Sequence, residues 1–431
     1  MKLGTFCGGL TLPSSAAATS SFEAIPPSEI VTIPLKQHAG NPCEASVKKK
    51  DEIKMGDLLG GNPEMDKAMA SVHASVSGIV SDVIKRFPDM HGGYVPAVVI
   101  ESDGKNEWGG GALQGTDPLE LIAKAGVVDF DIETVPLHGK LALAKEKSIH
   151  TLIINGVDVE PQLTSRASLL AENASQVAAG IDIIKSIVGA TSLYIGVSEN
   201  ASRAISSICS ACGSAGVVAL KAKHPQGLKE LLVKAILGKE VPLSGVPEDI
   251  GATVISAETA FFVARAVDEK KPVLERFITV AGPGVGKPRN VLVRIGTPIK
   301  DVLAYCGASI SGLGKVIIGG PLMGTSIHTT DIPVTKETTG IYVQKKEGDV
   351  VAFSSGVCIK CGMCVQVCPM RLMPFLISGF SESGNYVLAE ENDILSCIEC
   401  GCCAYVCPVL IPMVQWIQLG KSEIRAKRSS E

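Results

Sequence analysis

The sequence has few aromatic residues, little net charge and no long apolar run. Phe, Trp and Tyr make up 4% of the 431 residues, and the formal net charge is −4. Such a chain has no basic field to attract nucleic acid. No apolar run reaches 18 residues, and the N-terminal residues lack the apolar core of a signal peptide. We therefore expect a cytoplasmic protein without a membrane span, at most peripherally associated with the cytoplasmic face of a membrane complex.

The common hydrolytic motifs are also missing. The sequence contains no Ser/His/Asp arrangement, no H-E-x-x-H and no convincing carboxylate pair. The string GPGVGKP at 282–288 lacks the Ser or Thr that follows Lys in a P-loop, so a glycine-rich hairpin turn is predicted there. What the chain does have is cysteine, 14 residues in all. Because most of them are regularly spaced, they indicate a reducing compartment rather than a disulfide scaffold.

Eight cysteines near the C-terminus form two copies of C-x-x-C-x-x-C-x-x-x-C-P. This spacing is typical of a ferredoxin with two [4Fe–4S] clusters, in which the fourth cysteine of each run ligates the other cluster. Zinc sites and disulfides are the alternatives, but zinc gives no reason for the third cysteine or the proline in both runs. We therefore predict an electron-transfer protein. The predicted ligands are Cys358, Cys361, Cys364 and Cys407 for one cluster, and Cys397, Cys400, Cys403 and Cys368 for the other.

The pattern of residues changes several times, which predicts a multidomain protein of α/β and α+β class. Short alternating runs near the start indicate strands. Helical periodicity between short apolar runs then indicates an α/β sheet, after which strands return. The predicted units are a β-rich domain at 1–110, an α/β domain at 111–272, a strand-rich domain at 273–330, a linker at 331–354, a ferredoxin domain at 355–412, and a C-terminal helix and tail at 413–431.

This order, together with several local strings, resembles the RnfC family. Its members are the iron–sulfur and flavin subunits of the Rnf ferredoxin:NAD oxidoreductase, related to the NADH-binding subunit of respiratory complex I. The resemblance implies an N-terminal barrel-sandwich hybrid, an α/β flavin/NADH-type domain, a ubiquitin-like (β-grasp) soluble-ligand-binding domain and a C-terminal two-cluster ferredoxin domain. The matching strings are FCGGLTLP, IPLKQHAGNPC, VHASVSG, INGVDVEPQLT, HPQGLKELL, TVAGPGV, VRIGTP, GGPLMG and the paired cysteine motifs.

One stretch departs from the family. Where the family has A-G-I-V-G-L-G-G-A-G-F-P-T-H-V-K-L, this chain has AGVVDFDIETVPLHGKL, with Asp129, Asp131, Ile132 and Thr134 at the glycine positions. Side chains there fill the space in which backbone N–H groups would bind phosphate, and carboxylates repel a dianion. We therefore expect that this domain has kept its fold and lost FMN and NAD. If FMN were retained, the resemblance implies that Asn155, Glu160 and Asn200 would help to bind it.

The remaining cysteines give weaker signals. Cys43 follows a His-Ala-Gly turn with His38 nearby, which could make it an exposed, partly activated thiol. The alternative is a small buried apolar residue. The resemblance extends to RnfC-like proteins associated with D-proline reductase, which carry a redox-active residue at this kind of position. Cys209 and Cys212 form either a dithiol or two small packing residues, and Cys402 is predicted not to ligate iron.

Three functions follow from these observations. The first is an electron-transfer protein of the RnfC family that passes electrons through two [4Fe–4S] clusters to a partner reductase, with D-proline reductase as the leading candidate. The alternative is the NADH-oxidising subunit of the Rnf complex, which carries FMN and iron–sulfur clusters. The third is a scaffold whose clusters serve assembly only. Bound flavin would distinguish the first two.

Overall fold

The computed structural model of the chain describes residues 3–13, 21–62, 64–109, 113–213, 216–243, 245–309, 312–346 and 356–430. The predicted fold class is confirmed: a barrel-sandwich hybrid, an α/β domain, a β-grasp domain and a ferredoxin domain follow one another. None of the helices within these ranges combines the length and apolarity that a membrane-crossing helix needs.

The barrel-sandwich hybrid consists of short antiparallel strands around an aliphatic core. The strands of this part of the chain are β1 (Glu23–Ala24), β2 (Ile30–Pro34), β3 (Glu52–Ile53), β4 (Leu58–Gly60), β5 (Val72–His73), β6 (Gly78–Pro88) and β7 (Tyr94–Ser102). One sheet has the order β2–β7–β6–β3, and β4 pairs with β5. Alternation along β2 and β7 buries Val31, Ile33, Val98 and Ile100, so the core lies on one face of the sheet.

The α/β domain contains a parallel sheet covered by helices. Its elements are α1 (Pro118–Lys124), β8 (Val128–Asp129), β9 (Val135–Pro136), α2 (Leu137–Glu146), β10 (Thr151–Asn155), α3 (Ser165–Glu172), α4 (Ala174–Val188), β11 (Ser192–Ser198), α5 (Ser202–Cys212), β12 (Val217–Leu220), α6 (Lys229–Leu237), β13 (Ala252–Ser256) and α7 (Ala257–Val267). The sheet order is β12–β11–β10–β13, and every residue of β10 is buried, as expected for a strand covered on both faces. Because the chain moves from β10 to β11 on one side and returns to β13 on the other, the topological switch point lies between β10 and β13.

The β-grasp domain is one mixed sheet with a helix against it. Its elements are β14 (Glu275–Ala281), β15 (Arg289–Arg294), α8 (Ile299–Tyr305), β16 (Leu313–Ile318), β17 (Thr325–Ser326) and β18 (Gly340–Lys345). The order is β1–β15–β14–β18–β16–β17, and the glycine-rich segment 282–288 is the turn of the β14–β15 hairpin, as predicted. β18 corrects the predicted linker at 331–354. Residues 340–345 form a central strand, because apolar Ile341 and Val343 fill the core of this domain. Residues 347–354 of that linker lie outside the described residues.

The ferredoxin domain is helical. Its helices are α9 (Met363–Val367), α10 (Pro374–Glu382), α11 (Tyr386–Glu391), α12 (Cys402–Tyr405) and α13 (Met413–Ser430). α13 packs against α10 and α11 and buries Ile417 and Ile424. The predicted C-terminal helix is therefore part of this domain rather than an appended tail.

Residues 3–13, at the start of the predicted unit 1–110, run along the edge of the α/β sheet, where Gly4 bridges to Leu220 and Leu10 to His224. The backbone N–H of Gly9 also donates to the carbonyl of Val367, at 2.8 Å. This segment therefore connects the α/β domain to the ferredoxin domain.

Candidate functional site

Both cysteine motifs fold in the same way, as a loop that leads into a short helix. A glycine in the left-handed backbone region precedes each helix: Gly362, with φ of 76°, before α9 and Gly401, with φ of 78°, before α12. Side chains other than glycine are disfavoured at such φ values. α9 and α12 pack against each other, so the two motifs face one another.

Cys368 of the first motif lines the same cavity as Cys397, Cys400 and Cys403 of the second. We call these four the inner cysteine group. Four cysteines around a cavity with apolar walls fit a [4Fe–4S] cluster, which thiolates hold. The apolar wall residues include Met370, Leu372, Pro374, Ile377, Val414 and Ile417.

The other four motif cysteines, Cys358, Cys361, Cys364 and Cys407, are the outer cysteine group. Cys364 and Cys407 belong to one small apolar cluster, although they come from different motifs, and Cys403 of the inner group lies in the same cluster. Burial raises the pKa of the Cys364 thiol, and the nearby Cys358 and Cys361 thiols raise it further. The inner cysteine group therefore combines three cysteines of the second motif with the fourth of the first, as the crossed ligand assignment predicts for that group. For the outer group the assignment stays a prediction.

Backbone N–H groups donate to three of these sulfur atoms at 3.4 Å each. Such N–H···S bonds stabilise negative charge on sulfur and are one means by which a protein sets a cluster's reduction potential. The donor and acceptor pairs are Lys360 to Cys358, Leu372 to Cys368 and Glu399 to Cys397.

The inner cysteine group is held against the α/β and β-grasp domains. Nε2 of buried His224 lies 2.7 Å from the carbonyl oxygen of Cys400, so the Nε2–H tautomer donates to it. The carboxylate of Glu160 accepts the backbone N–H of Leu322 at 3.2 Å, and burial raises the pKa of Glu160 to about 7. A Cβ at Gly401 would lie 2.8 Å from the Leu322 carbonyl oxygen. These close contacts fix the second motif to both neighbouring domains.

The outer cysteine group lies at an exposed apolar surface. Cys361 is exposed, and the side chains beside it are apolar yet open to solvent: Val357 is 87% exposed and Ile359 is 62% exposed. We call these and three further exposed apolar residues of the two motifs the outer rim. Exposed apolar patches of this kind mark interaction sites. The further residues are Met363, Tyr405 and Leu410.

The carboxyl edge of the parallel sheet is occupied by Asp129. Its carboxylate accepts the backbone N–H of Ser256 at 3.1 Å and the hydroxyl of Thr259 at 2.8 Å, and it pairs with the Lys140 ammonium at 2.6 Å. Burial alone would raise the pKa of Asp129, but the Lys140 charge and these hydrogen bonds more than offset burial and hold it below its usual range. An internal anion therefore lies at the N-terminus of α7.

Of the three residues that the resemblance implied for FMN, two are engaged within the protein. The Asn155 side chain donates to the Gly227 carbonyl at 2.8 Å and accepts the Val157 N–H. Glu160 accepts from the backbone of the 320–324 loop. Asn200 is exposed in the turn after β11. The structure therefore gives Asn155 and Glu160 structural partners.

Cys43 differs from the sequence expectation. It is 2% exposed rather than projecting from a turn, and its thiol donates to the Ala70 carbonyl at 3.2 Å. A Cβ at Gly60 would lie 2.8 Å from the Cys43 Cβ, which shows how closely the strands approach here. Burial raises the pKa of the thiol, and it lowers the pKa of His38 to about 4. The hypothesis of an exposed, activated thiol is therefore wrong, and the alternative of a small buried residue fits the structure. The Lys336 charge lowers the pKa of the thiol but does not offset the effect of burial.

We expect native alkylation under reducing conditions to label exposed Cys7 well before Cys43. We also expect Cys43→Ala to leave the iron content unchanged and to lower the free energy of unfolding by about 1 kcal/mol, because it removes a small buried side chain. Mass spectrometry and denaturant unfolding are the measurements. Cys306, which is also fully buried, supplies the matched control Cys306→Ala. Labelling of Cys43 ahead of Cys7 would restore the hypothesis of a redox thiol.

Sequence patterns alone do not identify His224 and Arg166 as site residues. His224 is the first residue of the string HPQGLKELL, but its contact with Cys400 joins residues 176 positions apart.

Cys209 and Cys212 lie half-buried on α5 against the main core, as two packing residues would. Cys402 is fully buried, and its thiol lies 3.9 Å from the His224 carbonyl.

Comparison with known proteins gives each domain a family. Residues 4–105 match the RnfC barrel-sandwich hybrid domain, and residues 122–265 match the Nuo51 FMN-binding domain. Residues 277–326 match the SLBB domain, and residues 343–411 match a 4Fe-4S dicluster domain. These matches follow the predicted order along the chain.

Relatives match the chain over its full length. It is 37% identical to the C subunit of the proton-translocating ferredoxin:NAD(+) oxidoreductase complex of Clostridium ljungdahlii, over 100% of this chain and 96% of the relative. It is 38% identical to the C subunit of the Na(+)-translocating complex of Acetobacterium woodii, over 99% of both chains. A solved NAD+-reducing [NiFe]-hydrogenase covers 73% of the chain, and 67% of its own chain is covered, at a TM-score of 0.49 and 17% identity. From the full-length identity and the domain matches, the chain belongs to the RnfC family.

Proposed function

We propose that this chain is an iron–sulfur electron-transfer subunit of a multi-subunit complex of the ferredoxin:NAD oxidoreductase type. The observation that carries the proposal is the pairing of cysteines: Cys368 lines the inner cavity with Cys397, Cys400 and Cys403, while Cys407 packs with Cys364. When bound, [4Fe–4S] clusters supply one-electron transfer. The full-length similarity to the C subunits of two such complexes supports this choice of assembly.

The residues around the two groups suggest different tasks for them. The outer group has an exposed cysteine and an apolar rim, which suit contact with a protein partner. The inner group has apolar walls and is held by His224, which suit a site shielded from water. We therefore propose that the partner docks at the outer rim and that the inner group lies further along the same path.

A second candidate is an adaptor that serves a soluble reductase, with D-proline reductase as the acceptor that the sequence suggests. The full-length relatives support the complex better than this acceptor. One observation favours an acceptor other than NAD: a carboxylate already occupies the sheet edge at which a nucleotide would bind.

The docking proposal predicts that Ile359→Glu slows electron entry. A charge in the outer rim should cut the rate of iron–sulfur reduction by reduced ferredoxin about tenfold, the effect of losing a central interface residue. Stopped-flow bleaching of the visible absorbance measures this rate. Val387→Glu is the matched control, because Val387 is 61% exposed against 62% for Ile359 and lies on α11, outside both motifs. Equal rates in the two variants would remove the outer rim as the docking surface.

The choice of acceptor needs a separate assay. The reduced chain is mixed anaerobically either with the remaining subunits of the complex and NAD or with D-proline reductase and D-proline. We expect reoxidation in the presence of the complex. Reoxidation only by D-proline reductase would replace the first proposal with the second, and reoxidation by neither would argue for a scaffold.

A further inference from the structure

We infer that the α/β domain is closed to FMN and NAD(H) by its own carboxylates, although it matches an FMN-binding domain. In open parallel sheets, ligands bind beyond the carboxyl ends of the strands at the topological switch point, with anionic groups at a helix N-terminus. Here the switch point lies between β10 and β13, and α7 begins directly after β13. The residues at this position decide whether a nucleotide can enter.

Asp129 occupies the place that a phosphate would need. One carboxylate oxygen accepts from the backbone N–H of Ser256 and from the Thr259 hydroxyl, both at the N-terminal end of α7. The other oxygen takes the ammonium of Lys140, which also donates to the Val254 carbonyl. Asp129 is 1% exposed, so these donors are used inside the protein.

Asp131 engages a second cation in the same way. Its carboxylate pairs with Nη2 of Arg166 at 2.9 Å, and the same Nη2 donates to the Phe130 carbonyl at 2.8 Å. Nη1 of Arg166 donates to the Val157 carbonyl at 3.1 Å. Both terminal nitrogens of this buried guanidinium are therefore hydrogen-bonded within the protein.

Phe130 lies between Asp129 and Asp131 in the sequence, and its side chain is buried. Its ring packs 5.0 Å from Phe262 and lies 4.4 Å from the Arg276 guanidinium. The cavity beside it, which Asp158, Glu258, Arg166 and Arg276 also line, has a volume of about 10 Å³. This is room for about one water molecule, so the cavity is too small for a flavin mononucleotide. Its polar lining suits an ordered water molecule near Nη1 of Arg276, which has no hydrogen-bond partner in the described part of the chain.

Charge makes the exclusion stronger. Asp129 and Asp131 already balance Lys140 and Arg166, and a bound phosphate would face both carboxylates at low dielectric. We therefore assign the β8–β9 hairpin, residues 128–136, as a plug at this edge of the sheet, with the tip at Ile132 and Glu133 exposed. Its consequence is that neither FMN nor NAD(H) binds at this edge.

The test uses the whole chain, purified without oxygen from cells supplied with riboflavin. Flavin released on denaturation is measured beside iron content, and a flavodoxin carried through the same steps checks that handling preserves FMN. We expect full iron and no stoichiometric flavin. Hydrogen exchange within residues 128–136 should be slow without nucleotide at buried amides such as that of Phe130, which donates to the Thr259 hydroxyl at 2.9 Å. It should not change on addition of FMN or NADH. Stoichiometric flavin, or slower exchange that saturates with FMN, would overturn the inference.

A variant tests the plug itself. Asp129→Asn keeps the side-chain shape but leaves Lys140 without its counter-charge. Exchange of residues 128–136 should then rise about tenfold or more, because removing one partner of a buried ion pair is strongly destabilising. Lys67→Gln is the control, since it breaks the exposed pair with Glu146 and should leave that exchange unchanged. Unchanged exchange in Asp129→Asn would show that the carboxylate does not hold the loop. Iron content reports separately on the cysteine groups, so failure here is distinguishable from failure of the proposed function, on which this inference does not depend.

Discussion

Replacing Cys368 by Ser is expected to remove the iron held with Cys397, Cys400 and Cys403 and to spare the iron held by Cys358, Cys361 and Cys364. Cys368 belongs to the first motif in sequence, but it lines the cavity of the second. A serine hydroxyl is a poor replacement for a thiolate ligand. Cys402 also lines this cavity, but its thiol faces the His224 carbonyl rather than the place of Cys368. Iron analysis should show the loss of about half of the metal. EPR of the dithionite-reduced protein should retain one signal and lose its magnetic coupling.

Cys402→Ser is the matched control for this experiment. Cys402 lines the same cavity and is fully buried, but its thiol faces the His224 carbonyl. We expect full iron content and an unchanged EPR spectrum. Loss of the group that contains Cys358 in the Cys368→Ser variant would mean that each motif ligates its own cluster. Loss of iron in Cys402→Ser would add Cys402 to the ligands.

The sequence was sufficient where the information is local. A ligand motif with fixed spacing specifies its own loop, so the iron–sulfur domain could be predicted from the cysteine spacing alone. The strand runs TLIIN and SLYIGVS and the helix from Ala174 to Val188 were likewise predictable from periodicity. Their side chains contact residues close in sequence or an apolar core, and neither contact needs a specific distant partner. The periodicity of apolar residues therefore predicts these elements.

Sequence reasoning failed where distant contacts decide the outcome. Gly and Pro around Cys43 predict a surface position, but Gly60 on a neighbouring strand lets that strand cover the thiol. The Thr, Lys and Gly content of 331–354 predicts a linker. Residues 340–345 nevertheless form β18, which pairs with β14 on one side and with β16 on the other. Lys336 in the same stretch is buried, and its ammonium donates to the carbonyls of Ser71 and Gly126. No local pattern predicts such partners.

The buried pair of Glu258 and Arg276 joins two domains in the same long-range manner. Glu258 lies in the first turn of α7 in the α/β domain, and Arg276 lies on β14 of the β-grasp domain. The Glu258 carboxylate accepts from Nε at 2.9 Å and from Nη2 at 3.2 Å, and also from the backbone N–H of Phe277 at 3.3 Å. Arg276 is 1% exposed. The pair can be broken only by leaving a charge inside the protein.

Glu258→Ala is therefore expected to destabilise the contact between the two domains by about 3–5 kcal/mol, since Arg276 would stay buried without a counter-charge. Because the chain has several domains, the unfolding is best followed by thermal scanning together with hydrogen exchange of α7 and β14. The apparent Tm should fall by roughly 10 °C. The double variant Glu258→Leu/Arg276→Met should recover most of this loss, because replacing both charges with apolar groups is often neutral or stabilising. It also removes the unpaired Nη1 of Arg276. If the double variant is as unstable as Glu258→Ala, the loss comes from the acceptor for the Phe277 N–H rather than from the stranded charge, and the ion pair is not what holds the domains together.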